Sequence, residues 1–370
     1  MSTPTKDFWN DVPEEILAHI FSYLPFKDRH MAFDVCQRWF KAVSVPSVWS
    51  FTEIRCNTEN MSEDDMLRRL QQFLCSIKHL KIVLDPSQQL DRCQVTQIFD
   101  RLSCQSHKVR GLSIECGGSG PYFFSGQDIL ESFRTLCENT SELDLQYIDF
   151  RQMPFTLDNR LIRLIASSSP NLHTLLINNH PTGIIILEPE TVIEVLRVCP
   201  KLSALGVYNG LLCENLFREL VTPSRGPLRF LDVFCEGLHN YIHEELWSSL
   251  TERHPQVRVG LEFGPTFPSW NIPLILMPNI PVIALQFSSS TNILRLIWFV
   301  TASYGRTLEK LVLRPTPSED LNLSLIELAE RCVHLKEIHC SCAVSQAVID
   351  AFLLNCPGLI RYTLSKHPPF

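Results

Sequence analysis

The chain has 370 residues, 45 % of them apolar and 20 % charged, with a formal net charge of −7. That length accommodates two domains, or one domain and a repeat array, and the composition is that of a folded protein, not a disordered one. The acidic excess argues against nucleic acid or an anionic membrane as partner, and the longest apolar runs, Gly183–Leu187 and Leu296–Val300, are too short to span a bilayer.

The first fifteen residues carry Lys6, Asp7, Asp11, Glu14 and Glu15 without an apolar stretch, so no secretory leader is read there. Fourteen cysteines scattered along such a chain read as reduced thiols, and residence in the cytoplasm and/or nucleus is expected. Asp11 and Glu14 have the spacing of a helix-capping pair, with Pro13 in the first turn, where a missing N–H costs nothing. Ile16, Leu17, Ile20, Phe21 and Leu24 then recur at helical spacing as a broad apolar stripe, closed by Pro25. A second helix is expected from about Lys27, with Ala32, Phe33, Val35, Cys36, Trp39 and Phe40 as its apolar positions, and Pro46 opens a third short element ending in Val48 and Trp49. Three helices in about forty residues bury too little surface to hide so many large side chains among themselves. Either the stripe packs on the next domain or it waits for another protein.

Beyond residue 76 a phrase of apolar, two others, apolar, one other, apolar repeats. Examples are Ile77-Lys-His-Leu80-Lys-Ile82, Leu202-Ser-Ala-Leu205-Gly-Val207 and Leu308-Glu-Lys-Leu311-Val-Leu313. The middle apolar residue falls at 80, 112, 143, 175, 205, 231, 261, 285, 311, 338 and 362, at intervals of 24–32 residues. Amphipathic helical stretches such as Asp128–Leu136, Glu190–Val198, Ser324–Cys332 and Gln346–Leu354 lie between the phrases, and prolines at 170, 200, 255 and 357 stop helices just before the next strand. One strand and one helix at this period predict an α/β solenoid of leucine-rich repeats. An ordinary parallel α/β domain does not repeat one phrase. The proline-rich Gly264–Pro281 segment predicts an irregular turn.

Identity at the amino terminus adds to the periodicity. Trp9, Val12-Pro13-x-Glu15-Ile16-Leu17, Ile20-Phe21-x-x-Leu24, Asp28, Val35-Cys36-x-x-Trp39 and Trp49 together resemble an F-box over about forty residues, with Val12 where the family usually has Leu. The whole chain resembles the F-box and leucine-rich repeat family. The fold expected is α + α/β: a three-helix F-box over 5–52, a connecting helical segment over 53–76, and a solenoid of about eleven irregular repeats over 77–370. The resemblance implies docking onto the Skp adaptor and, through it, cullin and RING subunits of an SCF-type ubiquitin ligase. Pro13, Ile16, Leu17, Ile20, Phe21, Leu24, Val35 and Trp39 would form that face. Burying five large side chains of the stripe at roughly 1.5–3 kcal/mol each would contribute about 7–15 kcal/mol gross. A protein substrate is expected on the solenoid, with no nucleic acid, membrane, cofactor or catalytic residue of its own involved.

In such an array the residues between the buried apolar ones point away from the helices. They include Glu142, Asp144 and Gln146, then Leu176, Tyr208, Phe230, Asp232, Phe234 and Glu262. Leu176, Tyr208, Phe230 and Phe234 are therefore expected as an exposed apolar group with an acidic border containing Asp232, suited to a target bearing Lys or Arg. A slip of one residue would turn all of them inward. His334, His339, Cys340 and Cys342 crowd together, but alternate faces of a strand keep them from converging on a metal. Cys116-Gly-Gly-Ser-Gly120 lacks the Lys of a phosphate loop and reads as a turn.

Overall fold

A computed structural model describes residues 9, 12–56, 63–104, 107–118, 126–140, 143–181, 183–237, 241–288 and 293–366. The expected cap Asp11, the expected outward residue Glu142 and the end of the glycine-rich turn lie outside the described residues. The chain divides into two compact units, Met1–Leu172 with Asn179–Ile186, and His173–Asn178 with Leu187–Phe370.

The first unit starts with helix α1 (Glu14–Ser22) directly after Pro13, whose carbonyl accepts the N–H groups of Ile16 and Leu17 at 3.1 and 3.0 Å. Pro25 then leads into α2 (Phe26–Met31), which tightens into a 3-10 turn over Ala32–Asp34. The single second helix expected from the sequence is in fact broken here. Cys36 adopts extended backbone, and a separate helix α3 (Gln37–Val43) begins after it. Neither proline nor glycine marks that break, so local propensity could not show it. Pro46 occupies the first turn of α4 (Pro46–Trp49), where its missing N–H leaves nothing unpaired.

Strand β1 (Phe51–Arg55) follows at once, a strand that the sequence reading left out of the array. It pairs in parallel with β2 (His79–Leu84), after helix α5 (Glu63–Phe73). Helix α6 (Gln89–Cys104), β3 (Gly111–Cys116), α7 (Gln127–Asn139), β4 (Tyr147–Gln152) and α8 (Asn159–Ser168) continue the alternation. The register aligns Leu80 with Leu112 and Leu112 with Ile148, which corrects the third marker. Leu143 and Leu145 are buried but precede the strand, and the outward positions of β4 are Tyr147, Asp149 and Arg151. Asp144 stands in the lead-in, where it accepts the amide of Asn171 at 3.2 Å. Helix α8 is capped by Asp158, which accepts the Leu161 N–H at 2.7 Å.

The second unit holds eight parallel strands in chain order: β5 (Thr174–Leu176), β6 (Ala204–Tyr208), β7 (Phe230–Cys235), β8 (Arg258–Phe263), β9 (Val282–Phe287), β10 (Lys310–Leu313), β11 (Glu337–Ala343) and β12 (Arg361–Ser365). Between them lie α9 (Pro189–Val198), α10 (Glu214–Leu220), α11 (Glu244–Arg253), α12 (Ile272–Ile275), α13 (Leu294–Tyr304), α14 (Glu319–Arg331) and α15 (Gln346–Asn355). The proline-rich segment shrinks its helix to the single turn of α12, preceded by a 3-10 turn over Ser269–Asn271. Parallel strands joined by helices bury the apolar phrase on the helix side: Leu205, Val207, Leu231, Val233, Leu285 and Ile338 are all closed to solvent.

A backbone fork recurs at the start of several strands. The carbonyl of Ser203 accepts two successive N–H groups of the next repeat, Arg229 and Phe230, at 2.7 and 3.1 Å. Glu309 does the same for Lys336 and Glu337, Lys336 for Ile360 and Arg361, and, in the first unit, Lys78 for Arg110 and Gly111. Each fork stacks the residue just ahead of one strand on its counterpart in the next, so their side chains form a column along the turns.

Candidate functional site

The F-box helices bury one side of their apolar surface against the chain's own next segment. Trp49 is fully enclosed and stacks on Phe73 of α5 with ring centroids 3.9 Å apart, while Phe26, His30 and Phe33 surround it. Its indole N–H donates to the Val43 carbonyl at 2.7 Å. Beside this cluster Arg29 is buried, with no carboxylate partner among the described residues. Its guanidinium donates instead to four carbonyls, those of Ser22 (2.7 Å), Leu24 (2.8 Å), Val48 (2.7 Å) and Phe51 (2.9 Å), and sits over the Trp49 ring. Burial lowers its pKa from the ordinary value, which for Arg leaves the charge in place. Thus one side chain ties the end of α1 to α4 and to the start of β1.

The sequence stripe divides into two faces. Leu17 and Phe21 are buried, Phe21 lying 5.1 Å from the Trp39 ring. This corrects the expectation that all five positions of the stripe are open. A stripe of this width covers more than one face of α1, and the inner part packs on α3 and α4. Ile16 at 50 % and Val35 at 57 % exposure remain in water, as does Pro13, while Ile20, Leu24 and Trp39 are half-buried. Met31, Phe40 and Val45, which the sequence reading did not include in the face, are exposed as well. Trp9 edges onto Trp39 at 6.0 Å, and Arg38 donates to the Val12 carbonyl, holding the lead-in against α3. The sequence could have flagged Arg29, a cation among apolar helix positions, but not its four acceptors.

On the strand array the outward face differs from expectation. Leu176, Tyr208 and Phe234 are 4 %, 2 % and 2 % exposed, and only Phe230 and Asp232 are partly open. The register is as expected, since the inward residues are fully buried, so a slip is not the reason. Tyr208 and Phe234 meet edge-on at 6.3 Å, and the neighbouring strand gives the rings room to lie down. A Cβ placed on Gly264 would sit 3.0 Å from Phe234, and one on Gly260 would meet Asp232 at 2.4 Å and Phe230 at 3.5 Å. Glycines on the next strand let side chains lean diagonally across the sheet and cover themselves. The acidic border is also engaged: Glu262 accepts from Gln286 at 2.6 Å. In the first unit Lys81 bridges Glu115 at 2.7 Å and Glu53 at 3.2 Å, and the bond to Glu115 raises its pKa above the ordinary value.

His339 faces Glu337 and Thr363 at 3.0 and 2.9 Å, while Cys340 and Cys342 are buried on the opposite face of β11, 3.5 Å apart. No group of three or more His, Cys, Asp or Glu among the described residues is arranged to hold a metal ion. Burial pushes the Cys116, Cys137, Cys332 and Cys340 thiols up to about 12, leaving them protonated and poor nucleophiles at neutral pH. No described helix is long and apolar enough to cross a membrane.

Comparison with known proteins meets this geometry at both ends. An F-box-like family model matches residues 9–52, the segment that carries α1 to α4. Over 357 residues the chain is 36 % identical to F-box/LRR-repeat protein 8 of Homo sapiens, covering 95 % of this chain and 94 % of the relative. The Mus musculus protein of the same name is 35 % identical over 359 residues, covering 96 % and 95 %. F-box/LRR-repeat protein 21 of Bos taurus is 22 % identical over 363 residues, covering 94 % of this chain and 80 % of its own length. With helices of the F-box pattern at its head, parallel repeats behind them and relatives matched over nearly the whole length, the chain belongs to the F-box/LRR-repeat family.

Proposed function

We propose that the chain is the substrate-recognition subunit of an SCF-type ubiquitin ligase. The F-box docks the Skp adaptor, which links it to cullin and RING subunits, and the repeat array holds a protein target for ubiquitylation and proteasomal degradation. The carrying observation is the pairing of exposed Ile16 and Val35 with an F-box whose other side is closed by Phe73. Apolar side chains left in water on a unit already anchored to its own chain offer a partner area that folding does not use. Pro13, Ile20, Leu24 and Trp39 would complete the face, with Leu17 and Phe21 supporting it from beneath. In this reading the chain does no bond chemistry. It raises the concentration of target lysines near the conjugating enzyme, and Phe230 and Asp232 are the members of the expected target group that stay open. Cytoplasm and nucleus both suit that role.

The test is co-purification of the Skp adaptor with the intact chain and with the Ile16→Asp, Val35→Asp double variant, followed by target turnover in cells expressing each. Retained adaptor binding by the folded double variant would overturn the docking face. The second reading, a scaffold that binds the adaptor without promoting ubiquitylation, is favoured if adaptor binding persists while no protein gains half-life on removal of residues 1–50.

A further inference from the structure

The turns that lead into β8, β9, β10, β11 and β12 enclose a groove of about 570 Å³, wholly within the second unit. Its apolar lining is stiff, with Pro255, Pro281, Val333 and Pro357 among it, and Pro255, Val333 and Pro357 are exposed to solvent. Its polar edge carries Arg258, Arg306 and Lys336 against a single carboxylate, Glu309. That carboxylate is shared: Arg258 reaches it at 3.3 Å and Lys336 at 2.9 Å, with both cations more than half exposed. Arg306 is exposed and makes no side-chain hydrogen bond or ion pair among the described residues. The backbone fork at Glu309 stacks it beneath Lys336, so these two charges line the groove in register.

We infer that this groove seats an extended segment of the target in which acidic and apolar residues alternate. The groove crosses five successive turns. At about 4.8 Å between neighbouring strands and about 3.3 Å per extended residue, it accommodates roughly six residues. An extended chain sends alternate side chains to opposite sides, so apolar ones meet the proline and valine lining while carboxylates reach Arg306, Arg258 and Lys336. Three cations facing one carboxylate select against a Lys-rich segment. A polyanion such as RNA, with a charge at every residue, is disfavoured more than a peptide of alternating charge by the protein's net charge of −7. The inference rests on the reading of the array as target-holding and names the chemistry of what it holds. It also reverses the preference for a basic target expected from the acidic residues of the strand face, whose Glu262 is already bonded.

The experiment measures fluorescence anisotropy of a labelled hexapeptide alternating glutamate and leucine, titrated with the full chain bound to its Skp adaptor. A lysine–leucine hexapeptide and a six-nucleotide single-stranded RNA are run beside it. The glutamate peptide binds and the lysine peptide does not. Arg306→Glu with Lys336→Glu weakens binding about tenfold or more, and Glu309→Gln tightens it about twofold to fivefold. Arg306→Glu alone breaks no ion pair among the described residues and controls for misfolding. Binding unchanged by these reversals, equal binding of the lysine peptide, or tighter binding of the RNA would overturn the assignment. The Ile16→Asp, Val35→Asp variant without adaptor still binds the glutamate peptide, so loss of the groove and loss of the docking face are read separately.

Discussion

In the F-box, Ile16 and Val35 stand about half in water, whereas on the strand face Tyr208 and Phe234 are almost entirely covered. All four side chains are large and largely apolar, and the sequence expected both sets to be open to a partner. What differs is the neighbour. The short helices of the F-box leave outer positions with nothing beside them, while a strand in the array has another strand about 5 Å away, and where glycine stands there, as at Gly260 and at Gly264 just past β8, a ring can fold down over it. Exposure on the helix is settled by which edge the neighbouring helices leave uncovered, and exposure on the sheet by the next strand.

The comparison breaks most sharply at Trp49. Trp49→Ala empties the aromatic cluster and should cost about 3–5 kcal/mol, seen as rapid proteolysis within residues 12–56 with the second unit still protected. Arg29→Met leaves four buried carbonyls without a donor and should cost about 2–4 kcal/mol, read by chemical denaturation, with Arg29→Lys recovering part of it. Ile16→Asp with Val35→Asp should lower adaptor affinity about a hundredfold or more, while circular dichroism and the melting curve stay close to those of the parent. That outcome would separate the outer part of the stripe from Leu17 and Phe21, whose replacement should damage the fold first.

A smaller effect is expected in the second unit. His254 is buried, accepts the Leu228 N–H at Nδ1 (3.2 Å) and donates from Nε2 to the Leu220 carbonyl (3.0 Å), so only its neutral form satisfies both bonds. Burial lowers its pKa below the ordinary value of 6.5. The unfolded chain therefore takes up the proton first as pH falls. Stability is full above about pH 6.5 and declines as pH drops toward the folded-state pKa. Denaturation midpoints measured from pH 7.5 to 5 should show this slope, and His254→Asn should flatten it. Least of all, Arg160→Ala removes a surface pair with Glu138 and should shift stability by no more than about 0.5 kcal/mol.

Much of this was legible in the residues. The repeated phrase placed ten of the eleven expected strands, because burial on the helix side demands the same apolar spacing each time. The exception was Leu143-Asp-Leu145, which mimics the phrase in a lead-in while the strand itself starts at Tyr147. Strand β1 was missed because its Thr52 and Ile54 alternate for only a few residues beside the F-box signature. The break at Cys36 was invisible because no side chain there forbids helix. For the proposed docking face, the apolar stripe showed which helix is amphipathic but could not divide it into buried and exposed halves, a division made by packing against α3 and α4. For the strand face, correct register did not give exposure, and Arg29 became legible only once its four carbonyls were brought together.

Each strand within a unit is bonded only to its immediate predecessor and successor in the chain. Interior strands are thus held from two sides, but among the described residues β12 is held from one, through β11. Such a ladder should fray like a zipper from that last rung, losing amide protection at Tyr362 and Leu364 well before Leu311 or Ile338 exchange. Cooperativity then decays with distance from the end, and damage to the final repeat stays local.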